Sequence, residues 1–398
     1  MALLLDIVTL AIALGLLVPV AVLFLECSAA LLPSPPESQP IKELHPRVTV
    51  LVPAHNEASG IAATLETILP QLEEPARLVV VADNCTDATA AIARQAGAIV
   101  IEREDREHPG KGYALDYGLQ SMAPEPPEVV IVIDADCQVE NGAIEQLAQA
   151  AMQLKRPIQA TYLMERPNHP GPKDSVSALA FMVKNLVRLI GLKRLGLPCL
   201  ITGTGTAFPW SVISQISLAS GNIVEDMQLS VDLAIAGHAP IFWPAARVTG
   251  RLPQQDEAAT SQRTRWEHGH LQTLLTQVPI LLKSSLQQRR FDLLALALDL
   301  CIPPLSLLVM LWAAAMGLAL LVTTVGAPWT ASRVLGLEGL MILSSIVGAW
   351  AKFGRQDLPV LTLLAIPFYV LWKIPLYLAF LIRPQTQWVR TERDVIDT

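Results

Sequence analysis

The chain has 398 residues, 52% of them hydrophobic and only 16% charged, and a mean hydropathy of +0.42, which excludes an ordinary soluble protein. A formal net charge of -7 with no compensating basic stripe speaks against a nucleic-acid partner. The five cysteines, Cys27, Cys85, Cys137, Cys199 and Cys301, are odd in number and form no CxxC pair, so they read as reduced thiols in a cytoplasmic or intramembrane setting, not as a disulfide framework or zinc site.

Ile7 to Leu25 runs for nineteen residues without a charge, long enough at about 1.5 Å per residue to cross most of a bilayer core. A cleaved signal peptide is the competing reading, but no basic residue precedes the run and it is long for such a core. The span is assigned to residues 1–33. The first basic residues, Lys42 and Arg47, come after it and place the following domain in the cytoplasm. The "PSPPESQP" segment, 33–40, leads into a linker assigned to 34–46 and reads as a stiff spacer.

From residue 47 to about 255 short apolar runs alternate with helix-like stretches. "VTVLVPAHN", "RLVVVADN", "AIVIERED" and "EVVIVIDADC" read as buried strands. "ASGIAATLETILPQL", "DATAAIARQAG" and "NGAIEQLAQAAMQL" show apolar spacing at three and four residues. Such alternation predicts an α/β domain with a mostly parallel sheet, and ligands on such sheets sit at the carboxyl ends of the strands. The acidic residues cluster there. Asn56 and Glu57 follow the first strand, Asp83 ends the second, and Asp134 and Asp136 of "DAD" follow the fourth. Two carboxylates spaced i, i+2 at a strand end can share one hard divalent ion, which also takes phosphate oxygens. Alone a DxD match is common by chance, with solvated loop carboxylates as the bland reading; its place after "VVIVI" raises its value.

The "HPGKGYALDYGL" segment opens a helix on a Gly-Lys-Gly turn. Its backbone amides and Lys111 suit a phosphate or a nucleotide edge, but the spacing is not that of a P-loop. The small residues of "TGTGTAFP" allow close approach of a substrate to the backbone, or simply turn a strand. "VED", Val224 to Asp226, adds a later acidic pair. "QRTRWEHGH" at 262–270 then places cations and an indole ahead of a long apolar region; it is assigned with 256–292 to an interfacial helix. His268 and His270 point apart at i, i+2 on a helix and read as interface residues in preference to metal ligands.

Residues 293–382 form the C-terminal membrane region. Leu293 to Val325, spanning from about residue 304, and Val334 to Ala351 are spanning candidates. Lys352 and Arg355 return the chain to the cytoplasm. Leu358 to Ile382 is long enough to span, but Lys373 and Pro375 in its middle favour an interfacial or re-entrant helix.

Taken in order, "PAHNE", "ADNCTD", "GKGYALDYGL", "DAD", "TGTGTAF", "VED" and "QRTRW" resemble the membrane-integrated family 2 inverting glycosyltransferases, the group of cellulose, hyaluronan and chitin-oligosaccharide synthases. The resemblance covers roughly residues 48 to 270. It implies a GT-A fold of the α/β class, a nucleotide-diphosphate sugar donor, usually UDP-linked, and Mg2+ or Mn2+. Glu57, Asp83, Lys111, Asp134 and Arg265 would then bind the nucleotide sugar, with Asp83 on the base or ribose. Asp134 and Asp136 would hold the metal, and Asp226 would be the general base. Glu225, Gln262 and Trp266 would meet the acceptor, a glycan or a membrane lipid. Valine stands at 224 where several polymerising members have threonine.

The resemblance also implies a multi-pass protein of the bacterial inner membrane, acting in exopolysaccharide or envelope glycan synthesis. The few spans weaken a self-contained pore, so a homo-oligomer or secretion partner would complete one. Single-sugar transfer to a lipid, as in ceramide glucosyltransferase-like proteins, and a silent nucleotide-binding membrane subunit are the rival readings. Finally, "RPQTQWVRTERD" within 383–398 resembles the gating loop of cellulose synthases. Trp388, Thr391 and Arg393 would form its aromatic–x–x–Thr–x–basic run, with Arg393 reaching the donor diphosphate.

Overall fold

The computed structural model describes residues 2–33, 44–167, 170–219, 224–252 and 256–383. α1 (Ala2–Leu31) opens the chain, followed by β1 (Val48–Ala54), α2 (Ile61–Ile68), β2 (Arg77–Asp83), α3 (Thr89–Gln95), β3 (Ile99–Arg103), α4 (Lys111–Met122) and β4 (Val129–Val132). A short β5 (Gln138–Val139), α5 (Ala143–Leu154) and β6 (Ile158–Glu165) lead to α6 (Pro172–Met182) and α7 (Arg188–Arg194), joined by a π-helical turn at Val183–Val187. β7 (Thr206–Pro209), α8 (Trp210–Ile213), α9 (Glu225–Ile235) and β8 (Ile241–Arg251) return to the sheet. The remainder is helical: α10 (Asp256–Gln288), α11 (Phe291–Leu300), α12 (Leu305–Thr324), α13 (Thr330–Ala349), α14 (Leu361–Trp372) and α15 (Ile374–Ile382).

The chain divides into two compact units. The first, within residues 35–168 and 197–269, holds one eight-stranded sheet in the order β3-β2-β1-β4-β7-β6-β8-β5. β3, β2, β1 and β4 run parallel. β7 is antiparallel to both β4 and β6, so the expected parallel sheet holds for its first half and the whole is mixed. The four runs singled out in the sequence are strands: β1, β2 and β4 are buried, because their continuous Val/Ile runs lie with both faces under helices, whereas β3, at the end of the sheet, is only partly buried and leaves Ile99 exposed. Leu51, Val79, Val81, Val130 and Val132 pack against Ala114, Leu115, Leu119 and Met122 of α4. Strand order reverses at β1, with β2 on one side and β4 on the other. A crevice at the carboxyl ends of strands beside such a switch point is where α/β sheets bind ligands.

The second unit is helical, within residues 1–34, 169–196 and 270–384. Residues 169–196 therefore interrupt the domain read from the sequence as continuous over 47–255. Among the described residues, five helices are long and apolar enough to cross a membrane: Leu5–Leu31, Pro172–Arg194, Leu305–Thr324, Thr330–Gly354 and Leu361–Ile382. The sequence reading missed Pro172–Arg194, because Lys184 and Arg188 break up its apolar character. Arg188 is buried and turned inward. Its guanidinium donates to Glu26 Oε2 at 2.7 Å, to Asp299 Oδ1 at 2.5 Å and to the Asp299 carbonyl at 2.9 Å. One cation thus ties α1, α7 and α11 together, and loss of either partner type would strand a buried charge. The C-terminal carbonyls of α1 are met by cations as well. Arg194 donates to the carbonyls of Ala29 and Ala30 at 2.9 and 2.7 Å, and Lys352 to those of Ala30, Leu31 and Leu32 at 3.0–3.1 Å. These are the orphan acceptors and negative dipole end of a helix. The 358–382 stretch breaks at Lys373 between α14 and α15.

Candidate active site

The sheet unit gathers one cation and several carboxylates at the ends of β4, α4 and α9. β4 stops at Val132, and Asp134 and Asp136 follow it. The Asp134 amide donates to Thr204 Oγ1 at 3.0 Å, which fixes "DAD" against "TGTGT". That stretch is held in turn by the buried Gln159. Its Oε1 accepts from the Thr202 amide and the Thr206 hydroxyl at 3.0 and 2.9 Å, and its Nε2 donates to the Thr204 carbonyl at 2.9 Å.

Lys111 is the first residue of α4. Its ammonium pairs with Asp134, donates to the Gly203 carbonyl at 2.6 Å and lies 3.8 Å from Glu225 Oε1. Gly203 has φ +94, and a Cβ there would lie 3.3 Å from Asp226 Oδ2 and 3.8 Å from Lys111 Nζ. Only glycine suits both that backbone and that approach. Five residues named from separate motifs, Lys111, Asp134, Asp136, Glu225 and Asp226, therefore share one neighbourhood. The side chains of Asp134, Lys111 and Glu225 keep 29%, 20% and 19% of their exposure, so the group can be reached from solvent.

This crowding of charge shifts the titration of its members. Burial works to lower the Lys111 pKa, but the Asp134 and Glu225 carboxylates outweigh it and hold the ammonium above its ordinary value. Burial pushes Glu225 up to about 7, Lys111 pulls it down, and Asp226 and Asp134 raise it again. A carboxyl more basic in the folded chain than in the unfolded one binds the extra proton on the folded side. Stability therefore falls as pH rises from about 4.5 towards 7 and is flat above. We expect metal-free protein to melt lower at pH 8 than at pH 5, and Glu225→Gln to remove much of that slope, by up to a few kcal/mol. Parallel melting curves of both proteins across pH check this; identical slopes would contradict it.

Asp134, Asp136 and Cys137 each offer a ligand atom within 4.8 Å of the others. The two carboxylates fit a hard divalent ion such as Mg2+ or Mn2+. The Cys137 thiol does not, since burial first, and then Asp136 and Asp134, keep it protonated. His268 and His270 are both buried, and neither belongs to such a cluster among the described residues.

Asp83 and Glu57 lie at the ends of β2 and β1. Asp83 is buried and accepts from Arg103 Nη1 at 2.6 Å and Asn84 Nδ2 at 3.1 Å, while its carbonyl meets His55 Nδ1 at 2.7 Å. Arg103 also pairs with Asp105 at 2.8 Å and lies 5.6 Å from the Tyr113 ring centroid. Sequence reasoning passed over Arg103; an arginine closing the apolar run "AIVIER" beside a strand-end aspartate was the available signal. The Glu57 amide donates to Thr89 Oγ1 at 2.8 Å.

Gln262, Arg265 and Trp266 lie on α10. Gln262 is buried, and Arg265 and Trp266 are half-buried. α10 meets the "VED" turn at Gly269, where a Cβ would come 2.7 Å from Val224 Cγ1. Glycine at 269 thus lets the QxxRW helix close on the turn that carries Glu225 and Asp226, another contact the sequence reading did not find. Gly269→Leu should overpack this contact, lower folding stability by about 1–3 kcal/mol and reduce activity. Val224→Ala in the same chain should restore part of both, as coupled neighbours do; additive losses in the double variant would contradict the packing. Arg393, Trp388 and Thr391 lie outside the described residues.

A family model, "Glycosyltransferase like family 2", matches residues 45–269, more than half of the chain. The chain belongs to this family. The probable glycosyltransferase YdaM of Bacillus subtilis is 26% identical over 275 residues, 64% of this chain and 62% of the relative. A low-salt glycan biosynthesis hexosyltransferase of Haloferax volcanii is 37% identical over 107 residues, 26% of this chain and 24% of the relative. The chain thus spans less than two thirds of the length of these relatives. Among solved structures, a mannosyltransferase of Pyrobaculum calidifontis in complex with GDP-Man and Mn2+ is similar with a TM-score of 0.54 and 20% identity, over 88% of this chain and 99% of that one. The fold is GT-A, as the sequence resemblance implied, with flanking apolar helices.

Proposed function

We propose that the chain is an inverting glycosyltransferase that moves a sugar from a nucleoside-diphosphate donor to an acceptor hydroxyl on a glycan or lipid at the cytoplasmic face of a membrane. The observation that carries it is the meeting of Lys111, Asp134, Asp136, Glu225 and Asp226 beside the switch point of the sheet. The acceptor hydroxyl gives its proton to Asp226 as its oxygen attacks the anomeric carbon. The bond from that carbon to the diphosphate breaks, and the leaving charge is met by Lys111 and by the guanidinium of Arg265. A divalent ion held by Asp134 and Asp136 would supply further charge for the diphosphate. Asp83, oriented by Arg103, and Glu57 serve the nucleoside end. Glu225, Gln262 and Trp266 serve the acceptor, and Arg393 serves the donor diphosphate. The bound donor and metal of the Pyrobaculum mannosyltransferase support a nucleotide sugar and a divalent ion. Five membrane-length helices and the cations around the end of α1 support a cytoplasmic catalytic face.

A panel of UDP- and GDP-linked sugars, read by nucleoside diphosphate release with and without Mn2+, tests the reading. Release with at least one donor and a suitable acceptor is expected. Donor binding without release across a broad acceptor panel would favour the silent subunit. Mass spectrometry of the products separates the two enzyme classes: a ladder of repeats means polymerisation, and one added hexose on lipid means single transfer.

A further inference from the structure

In the helical unit, α6, α12, α13 and α14 line a shallow groove, open on one side, that encloses only about 20 Å3. Its walls are apolar, with Val176, Leu179, Val309, Ile346, Ile366 and Val370 among them, and Ser306 and Tyr369 as the polar-edged members. The Ser306 hydroxyl is satisfied by the Tyr377 hydroxyl at 2.5 Å. Such walls suit an acyl chain laid along the open side, and not a polar solute.

One end of the groove is cationic and aromatic. Tyr369, a wall residue, stacks tilted on Trp372 with centroids 5.7 Å apart. Lys173, exposed at the start of α6, holds its ammonium 4.5 Å from the Trp372 ring centroid. The Lys373 ammonium lies 5.3 Å from Tyr369 and 5.9 Å from Trp372, with the side chain buried. The neighbouring Asp174 accepts from the Gly171 amide at 3.0 Å at the helix start. Two ammonium groups beside tryptophan and tyrosine at the end of an apolar groove match the layout of a membrane interface, where aromatic belts and basic residues meet headgroups.

We propose that this groove binds one anionic phospholipid, with an acyl chain along α6, α12 and α14 and the headgroup phosphate at Lys173. The charge at the rim selects the headgroup, and the apolar walls hold the chain. The site stands apart from the transferase reaction and from the choice of acceptor, so it is tested by binding alone.

Full-length protein in detergent is mixed with equal amounts of phosphatidylglycerol and phosphatidylcholine of matched acyl chains, and the lipids retained are read by native mass spectrometry. The expected result is a preference for phosphatidylglycerol of about fivefold, the factor for one lysine near an anionic headgroup. Lys173→Ala, an exposed change that leaves packing intact, should bring phosphatidylglycerol to the level of phosphatidylcholine. Ala180→Phe, which fills the groove, should remove the tightly held lipid. Equal retention of the two lipids by the unaltered protein, or undiminished phosphatidylglycerol in both variants, would overturn the proposal.

Discussion

Asp226→Asn is expected to leave donor affinity near normal and to lower turnover by about 10²–10⁴-fold, the usual weight of a general base. The substitution keeps the shape of the side chain and a carbonyl oxygen for the Met227 amide, which donates to Asp226 Oδ1 at 2.9 Å. The start of α9 should therefore hold: its Ser230 hydroxyl still donates to the Asp226 carbonyl at 2.8 Å and accepts from the Ile201 amide at 2.7 Å. What disappears is the basicity needed to take the acceptor proton. Donor affinity by calorimetry and initial rates of transfer separate the two effects. Near-normal turnover would remove Asp226 from the role and leave Glu225, beside it and already lifted by burial, as the next group to test.

Removing the divalent ion should be as damaging. Excess chelator, or Asp136→Ala, is expected to lower transfer by about 10²–10³-fold, the order for loss of a group that stabilises leaving-group charge. Asp134 and Asp136 would otherwise set two negative charges close together, and in the structure Lys111 supplies the compensating cation on the Asp134 side. With Lys111 already paired to Asp134, the charge of a departing diphosphate calls for more than this ammonium and the Arg265 guanidinium, which is the physical reason to expect a divalent ion in the working complex. Restoration by added Mn2+ or Mg2+ in the unaltered enzyme, but not in Asp136→Ala, would locate the effect at this pair. Full activity in excess chelator would sink it.

The strands and the acidic strand ends could be read from the sequence because both are local. "VVIVI" buries itself on both faces, and the aspartates directly after it sit at the carboxyl end of an interior strand. The grouping of Lys111 with Asp134 and Glu225 spans more than a hundred residues, and only the motif order pointed to it. Contacts set by shape stayed hidden. Gly269 looks like any helix glycine until Val224 is placed against it. Arg103 becomes meaningful only when parallel pairing of β2 and β3 sets it beside Asp83. The helical insertion at 172–194 was missed for a related reason. Arg188 reads as a polar interruption in the sequence, whereas in the fold its charge is answered internally by Glu26 and Asp299.

The central claim is a single displacement at the anomeric carbon driven by Asp226, and the configuration of the product tests it most directly. With a nucleotide sugar of known α linkage as the donor, proton NMR of the first product formed should show a β linkage at the transferred sugar. An α-linked product would mean retention, and would contradict a mechanism in which the acceptor attacks from the face opposite the diphosphate.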